Sequence, residues 1–562
     1  MVPSRSKRKF RIKYLQASFS PKFASQPFFQ RPASGVFQDH HAITLLAYAI
    51  FLISGIYGSL KVAISQYGIE ADACHSIMLW YGVTAHGLPW LQDWLFTPDN
   101  WLLSLVPFHF MGFMIFGPEP AVVILFGWII FIFAAFISGA IAWQLKAKKA
   151  AVIISLALLF LGSYAHESGF VSYPTSHNIT NLFGLAALYL ILRWSQQPRV
   201  LTLIAVLALL IAGAVSDPWM VAAYNLPAAI VGIVFVVRPS ASIKREDGFQ
   251  LLLVSVVSIA SVKSKMFGML AFLPSLKFAL GNWATINNNA IFLLKNLGGL
   301  LNIIPFNKSN QVVPAILTLV AVLSLLSISV VKSVKYDHKV NSSTIAFSWL
   351  ATFSIGAVGL AFVISQVEAT NRSGRFLLNC AYLIPIGLGV FVEHNWPRSS
   401  KSEKTICTVV IALFVLSGIV SNFETWRRPG FAIKDNGAFA LIKFLKVNGL
   451  SYGYGPYWGS DANAITAVSR SEVVIRPVEF TKDTGMMIVG NRSQSSKRWY
   501  WKEDAPPNQK QFFVFVVSDA EECADVNVCV SGLTKQFGNP VRALKYGDAT
   551  IVVWDHPLVG SN

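Results

Sequence analysis

Long apolar runs separated by short polar connections fill the first three quarters of this 562-residue chain. A helix of roughly 18 or more apolar residues crosses the hydrocarbon core of a bilayer. The pattern predicts spans at 43–63, 119–144, 150–166, 178–194, 199–215, 220–238, 248–264, 312–332, 344–366, 377–393 and 404–422. The connections KAKK (146–149), RWSQQPR (193–199), VRPSASIKRED (237–247), KSVKYDHK (332–339) and PRSSKSEK (397–404) are basic and fall on the side of the N-terminal tail. Basic loops gather on the cytoplasmic face. The expectation is a polytopic α-helical membrane protein of about eleven transmembrane helices, N-terminus inside and C-terminus outside.

Composition agrees: 54% of residues are hydrophobic and 13% charged. The net charge of +18 does not point to nucleic acid, because it sits in the loops and in the tail (Arg5, Lys7, Arg8, Lys9, Arg11 and Lys13). Residues 1–42 read as a cytoplasmic basic tail near anionic lipid, too long and polar for a cleaved signal peptide. Residues 43–423 form the transmembrane domain, with a first outer loop at 64–118. The stretch 265–310 breaks its apolar runs with Lys, Asn, Pro and Gly, the composition of interfacial or re-entrant helices.

From residue 424 the pattern changes. FAIKDNGAFALIKFLKVNG and DANAITAVS read as helices, SYGYGPYW as a strand and turn, and SEVVIRPV, QFFVFVVS and ATIVVWDH as strands rich in Val, Ile and Phe. This predicts a C-terminal extracytoplasmic α/β domain over 424–562, with no Gly-rich phosphate loop and no nucleophile elbow. Cys523 and Cys529 could pair there if the region lies outside the cytosol, whereas Cys380 and Cys407 read as packing residues.

Chemistry-bearing residues collect in the outer segments. The first loop opens EADACHSIMLWYGVTAHGLPW (70–90), placing Asp72 just past the first span and ahead of a short amphipathic helix that ends at Gly87. An acid at a membrane edge is costly and therefore a functional candidate. Asp93 and Asp99 follow in QDWLFTPDNW, the latter in a turn signature. Arg372 and Arg375 in EATNRSGRF lie outside against the positive-inside trend, and Lys263 and Lys265 end an outer span. His109, His166 and His177 stand at outer span ends, and Glu167 with the last two is a weak candidate for a divalent metal. Trp80, Tyr81, Trp90, Trp94 and Trp101 fit an aromatic belt or a sugar-stacking surface. Asp217 in SDPW suits a helix cap.

This arrangement resembles the GT-C membrane glycosyltransferases, above all the aminoarabinose-transferase and protein O-mannosyltransferase branches. The spacing of Asp72 and Gly87, the WLQDWLFTPDNWLLSLVP segment and SGRFLLN (373–379) carry the likeness. Ala73 stands where many relatives carry a second acid, and no Lys or Arg occurs between residues 64 and 118. The resemblance implies sugar transfer from a polyprenyl-phosphate donor to a glycan, lipid or protein acceptor on the outer face of a bacterial inner membrane. Asp72 is then the base, with Asp93 and Asp99 as second acids. Arg372, Arg375, Lys263 and Lys265 become candidates for the donor phosphate, and His109, His177, Trp94 and Trp101 for the substrate. The competing classes are a flippase of lipid-linked sugars and an O-antigen ligase or polymerase. Transporters place charges at the midplane, whereas these spans are nearly free of charge.

Overall fold

The computed structural model describes residues 36–239, 242–265, 268–275, 279–301, 303, 316, 320, 342–431, 433, 437–501, 510–516, 523 and 525–559. The predicted span at 312–332 lies outside the described residues apart from Ile316 and Val320. Among the described residues, Leu45–Gln66, Pro120–Gln144, Ser342–Ile364, Asn371–Arg398 and Lys401–Arg427 are long and apolar enough to cross a membrane. The chain is a multi-pass helical membrane protein.

Other predicted spans fold as helices at Lys148–Leu159, His177–Gln196, Val200–Ser216, Leu226–Val237 and Arg245–Lys263. Two differ in form from the expectation of one continuous helix each. The run at 150–166 stops at Leu159, because Gly162 is extended, and resumes as the short helix Ser163–Glu167. The run at 220–238 opens with a π-turn over Val221–Asn225. Pro227 lacks an amide hydrogen and cannot donate within the helix, which favours such a register change.

Within 265–310, Trp283–Leu300 is a helix that buries Asn289 and Asn296 completely. Polar side chains inside an apolar helix must find partners, and these two find the segment 362–370. Asn289 Nδ2 donates to the carbonyls of Ser365 (3.0 Å) and Val367 (3.1 Å), and its Oδ1 accepts from the Ala369 amide at 2.7 Å. Asn296 Nδ2 reaches the Thr370 carbonyl at 3.1 Å. The asparagines thus fix the loop that carries Arg375.

The C-terminal part forms a five-stranded sheet in the order β2-β1-β5-β7-β6, from β1 (Tyr452–Gly455), β2 (Val474–Pro477), β5 (Gln511–Val516), β6 (Arg542–Tyr546) and β7 (Ala549–Trp554); the short strands β3 (Glu479–Phe480) and β4 (Met487–Ile488) pair separately. β1 lies parallel to β2 and β5, and β7 antiparallel to β5 and β6. Helices Ala438–Val447 and Ala462–Val468 fall where the sequence places them. Side chains alternate across a strand, and the alternation divides this sheet between two cores. Phe512, Val514, Ile551 and Val553 pack with the two helices. Tyr452, Tyr454, Phe513, Phe515, Val552 and Trp554 share a core with Ile77, Met78, Trp90, Trp94 and Trp101 of the first loop. Cys523 and Cys529 form a disulfide, while Cys380 and Cys407 are buried and not disulfide-bonded.

Candidate functional site

The first span leads into a turn at 71–74 and then into helix His75–His86. Gly87, at φ +79°, closes that helix by donating its amide to the Val83 carbonyl. Only a residue without Cβ adopts this conformation freely. Asp72 occupies the turn, and its carbonyl accepts from the His75 amide at 3.1 Å and from Thr175 Oγ1 at 3.3 Å. Its carboxylate accepts a 2.7 Å hydrogen bond from the Tyr457 hydroxyl, contributed by the segment just after β1.

Asp72 is half-buried, open on one side and enclosed by protein on the others. Burial penalises the charged form and pushes its carboxyl up to about 7. The Tyr457 hydrogen bond pulls it down, the charges of Glu70 and Asp99 push it up, and Arg375 pulls it down. Tyr457 itself is held well above the ordinary phenol range by burial and by the adjacent carboxylate, so it remains a donor.

Asp99 sits in a loop clamped onto the end of helix Val200–Ser216. Asn100 Nδ2 donates to the Val215 carbonyl at 2.8 Å, the Trp101 amide to the Ser216 carbonyl at 3.1 Å and the Leu103 amide to Ser216 Oγ at 2.8 Å. The clamp brings Asp99 within the field of His177, Asp217 and Arg375. Burial raises the Asp99 carboxyl, Asp217 adds to the rise, and His177 and Arg375 oppose it. Beside it, His177 Nδ1 meets Asp217 Oδ2 at 2.6 Å, and Thr180 Oγ1 donates to the same oxygen at 2.7 Å. Asp217 Oδ1 accepts from the Trp219 amide at 3.1 Å, so Asp217 both caps and pairs.

Arg375 lies in the 3₁₀ turn Asn371–Leu377, its guanidinium 5.0 Å from the Phe376 ring and 5.8 Å from that of Phe170. Trp219 Nε1 donates to the Phe376 carbonyl at 2.9 Å, which ties this turn to the His177–Asp217 pair. Arg375 is exposed and acts on both Asp72 and Asp99. The field of one exposed arginine therefore reaches two carboxyls that favour protons, an arrangement suited to receiving an anion near a base.

The other sequence candidates lie in different surroundings. Asp93 is 3.6 Å from Arg498, and the Lys497 amide donates to its carbonyl, so it docks the first loop on the C-terminal part. Arg372 is exposed, and its backbone amide donates to Oγ1 of the capping residue Thr370. Lys265 Nζ donates to the Ala271 carbonyl, and Lys263 is exposed in the last turn of its helix. His109 is fully buried with Nδ1 on Ser76 Oγ at 2.8 Å, which joins two helices of the first loop. Trp94 and Trp101 are 2% and 4% exposed and pack against His75, Trp499 and His177; rings this deeply buried serve the core rather than a belt or an open sugar face.

The weak metal candidate does not assemble. His166 Nδ1 is engaged by Ser172 and His177 by Asp217, and among the described residues no three His, Cys, Asp or Glu side chains stand together as a metal site.

Sequence reasoning missed Tyr457, which lies 385 residues from its partner with no local signal to link them. It missed Glu70, although that acid stands two residues before Asp72. It also missed His75, a buried neutral ring pushed down to about 4 by burial. Neither His75 nitrogen makes a hydrogen bond of good geometry; the Gln494 side chain and the Asn100 backbone face the ring from farther off.

The helical bundle, the helix directly after the first span and the C-terminal sheet region can be set against solved structures. The chain is similar to the crystal structure of ArnT from Cupriavidus metallidurans in the apo state, with 12% identity and a TM-score of 0.53 over 93% of this chain and 100% of that one. It is likewise similar to that protein bound to undecaprenyl phosphate, with 11% identity and a TM-score of 0.50 over 92% and 99% of the two chains. At this identity the likeness is one of fold. No protein-family model and no curated protein sequence matches the chain.

Proposed function

We propose that the chain is a membrane glycosyltransferase that moves a sugar from a polyprenyl-phosphate carrier to an acceptor on the outer face of the membrane. The observation that carries this reading is the Asp72 carboxyl just past the first span, hydrogen-bonded by Tyr457, raised toward neutrality by burial and within the field of Arg375. A base works best when its pKa lies near the operating pH.

In the step, the acceptor oxygen attacks the anomeric carbon as the bond from that carbon to the donor phosphate oxygen breaks. Asp72 takes the acceptor proton, and the phosphate leaves with the bonding electron pair. Arg375 supplies positive charge for that leaving phosphate, since a guanidinium matches phosphate oxygens in a bidentate fork. Tyr457 orients the carboxylate and favours the ionised form that can accept the proton. The GT-C fold and the undecaprenyl phosphate bound by ArnT support a lipid-phosphate carrier here. The C-terminal part stands outside the membrane in this reading, because Tyr457 must reach Asp72 and because the Cys523–Cys529 disulfide persists in an oxidising compartment.

Mass analysis of surface glycans and lipids in a deletion strain tests the reading. One sugar-bearing species should vanish, return with the native gene, and stay absent with Asp72→Asn expressed to the same level. Its return with Asp72→Asn would contradict the assignment.

A further inference from the structure

A recess runs along helix His75–His86. It has a volume of about 210 Å³ and is lined by Tyr81, His86 and Trp90 of the first loop and by Ser471, Arg476 and Trp499 of the C-terminal part. β2 is the edge strand of the sheet, and Ile475 packs into the core shared with the C-terminal helices. Alternation therefore sends Arg476 to the opposite face, toward the helix. Its guanidinium carbon lies over Trp499, 4.1 Å from the ring centroid, with the Tyr452 centroid at 5.9 Å.

Arg476 makes no ion pair and donates no hydrogen bond among the described residues, and its Nε is buried without a partner. An arginine that only joins two elements uses its five N–H donors on carbonyls or carboxylates. This one is oriented by an aromatic ring and keeps its donors unused. The neighbouring cation Arg470 is, by contrast, paired with Glu119. Trp90 and Trp499 have ring centroids 6.5 Å apart, and Gly82 lets Trp90 close on the helix, because a Cβ there would stand 2.2 Å from the indole. Trp90 and Trp499 are buried and hold Arg476 in place, while half-buried Tyr81 and exposed His86 line the open side; aromatic rings beside an unpaired guanidinium fit a ring with apolar C–H faces and one anionic substituent.

Resting on the glycosyltransferase reading, we infer that this recess is an acceptor subsite for an anionic sugar, with its carboxylate or phosphate on Arg476 and its ring against Tyr81 and His86. The recess starts at Met78, one helical turn after His75, so it lies on the order of 5–10 Å along the helix from the Asp72 turn. A sugar bound there leaves the attacking hydroxyl of the same or the next unit to reach Asp72.

Calorimetric titration of the full-length protein in nanodiscs with glucuronic acid, glucose 6-phosphate and glucose tests this. Both anionic sugars, or whichever of the two carries the true acceptor group, should bind at least tenfold more tightly than glucose. Arg476→Gln should abolish that preference and Arg476→Lys should keep part of it. Ala85→Trp, at an exposed helix position on the rim, should block binding without touching Arg476. Equal binding of glucose and the anionic sugars would overturn the inference. So would an unchanged preference in Arg476→Gln or, if that variant does not fold, in Ala85→Trp. The readout is binding and not transfer, so its failure leaves the role of Asp72 standing, and the converse holds.

Discussion

The Tyr457 hydroxyl donates to Asp72 Oδ1 at 2.7 Å, joining the segment after the first span to the C-terminal sheet region. The bond makes the carboxylate depend on both parts of the chain. A hydrogen bond to a charged group contributes about 1.5–3 kcal/mol, and it favours the ionised form of Asp72. Tyr457→Phe removes the donor, so the Asp72 carboxyl should rise further. The acid limb of the transfer rate should move to higher pH by about one unit, with activity at pH 7 recovered in part at pH 9. A lower rate with an unmoved limb would show that Tyr457 acts only on packing.

The same carboxyl sets a pH dependence of stability. Asp72 titrates near 7 in the folded chain, against an ordinary carboxylate value near 3.9. Between these values the folded state holds a proton that the unfolded state has lost, so the contribution of Asp72 to stability falls as pH rises through the window. Asparagine cannot ionise. The gain in Tm of Asp72→Asn over the native protein should therefore be larger at pH 8 than at pH 5, measured in detergent. Equal gains at both values would mean that burial does not perturb this group.

Arg375 gives the binding prediction. Arg375→Gln should weaken binding of a polyprenyl phosphate by roughly 10- to 100-fold, the loss expected for a charge-assisted hydrogen bond. Arg375→Lys should recover part of that, since it keeps the charge and loses the fork. Titration of tritiated lipid phosphate measures both variants. Native affinity in Arg375→Gln would move the phosphate site elsewhere.

Asp217 supports the site from beneath. Its carboxylate holds His177, Thr180 and the Trp219 amide, and it is 1% exposed. Breaking one side of a buried pair costs about 3–5 kcal/mol. Asp217→Asn should lower Tm clearly and reduce transfer through misplacement of the Arg375 turn, whereas His177→Gln keeps a hydrogen bond and should cost less. A Tm unchanged in Asp217→Asn would show that the pair is idle.

Much of this was readable along the chain, because the relevant signals are local. Apolar runs locate helices, β-branched and aromatic runs locate β1, β2, β5 and β7, and an acid after the first span is visible at Asp72. Gly87 marks the end of the following helix for a conformational reason. What stayed hidden depends on contacts between distant segments. Nothing local distinguishes Tyr457 from the other tyrosines of SYGYGPYW, and the same holds for Arg476 in SEVVIRPV. Trp94 and Trp101 read as a membrane belt because composition cannot separate an interfacial indole from one covered by a sheet. Helix breaks after Leu159 and at Val221–Asn225 escape a hydropathy reading, since both fall within long, mainly apolar runs. Asn289 and Asn296 looked like marks of an interfacial helix, and only the tertiary structure shows them holding the Arg375 loop.

The most direct test is the single-turnover rate of sugar transfer from a polyprenyl-phosphate donor at saturating donor and pH 8, for the native protein and Asp72→Asn with matched expression, both folded at the assay temperature. Positioned general bases contribute about 10²–10⁴-fold. A loss of that size with unchanged donor affinity is the result expected if Asp72 takes the acceptor proton. A rate within threefold of native would contradict it.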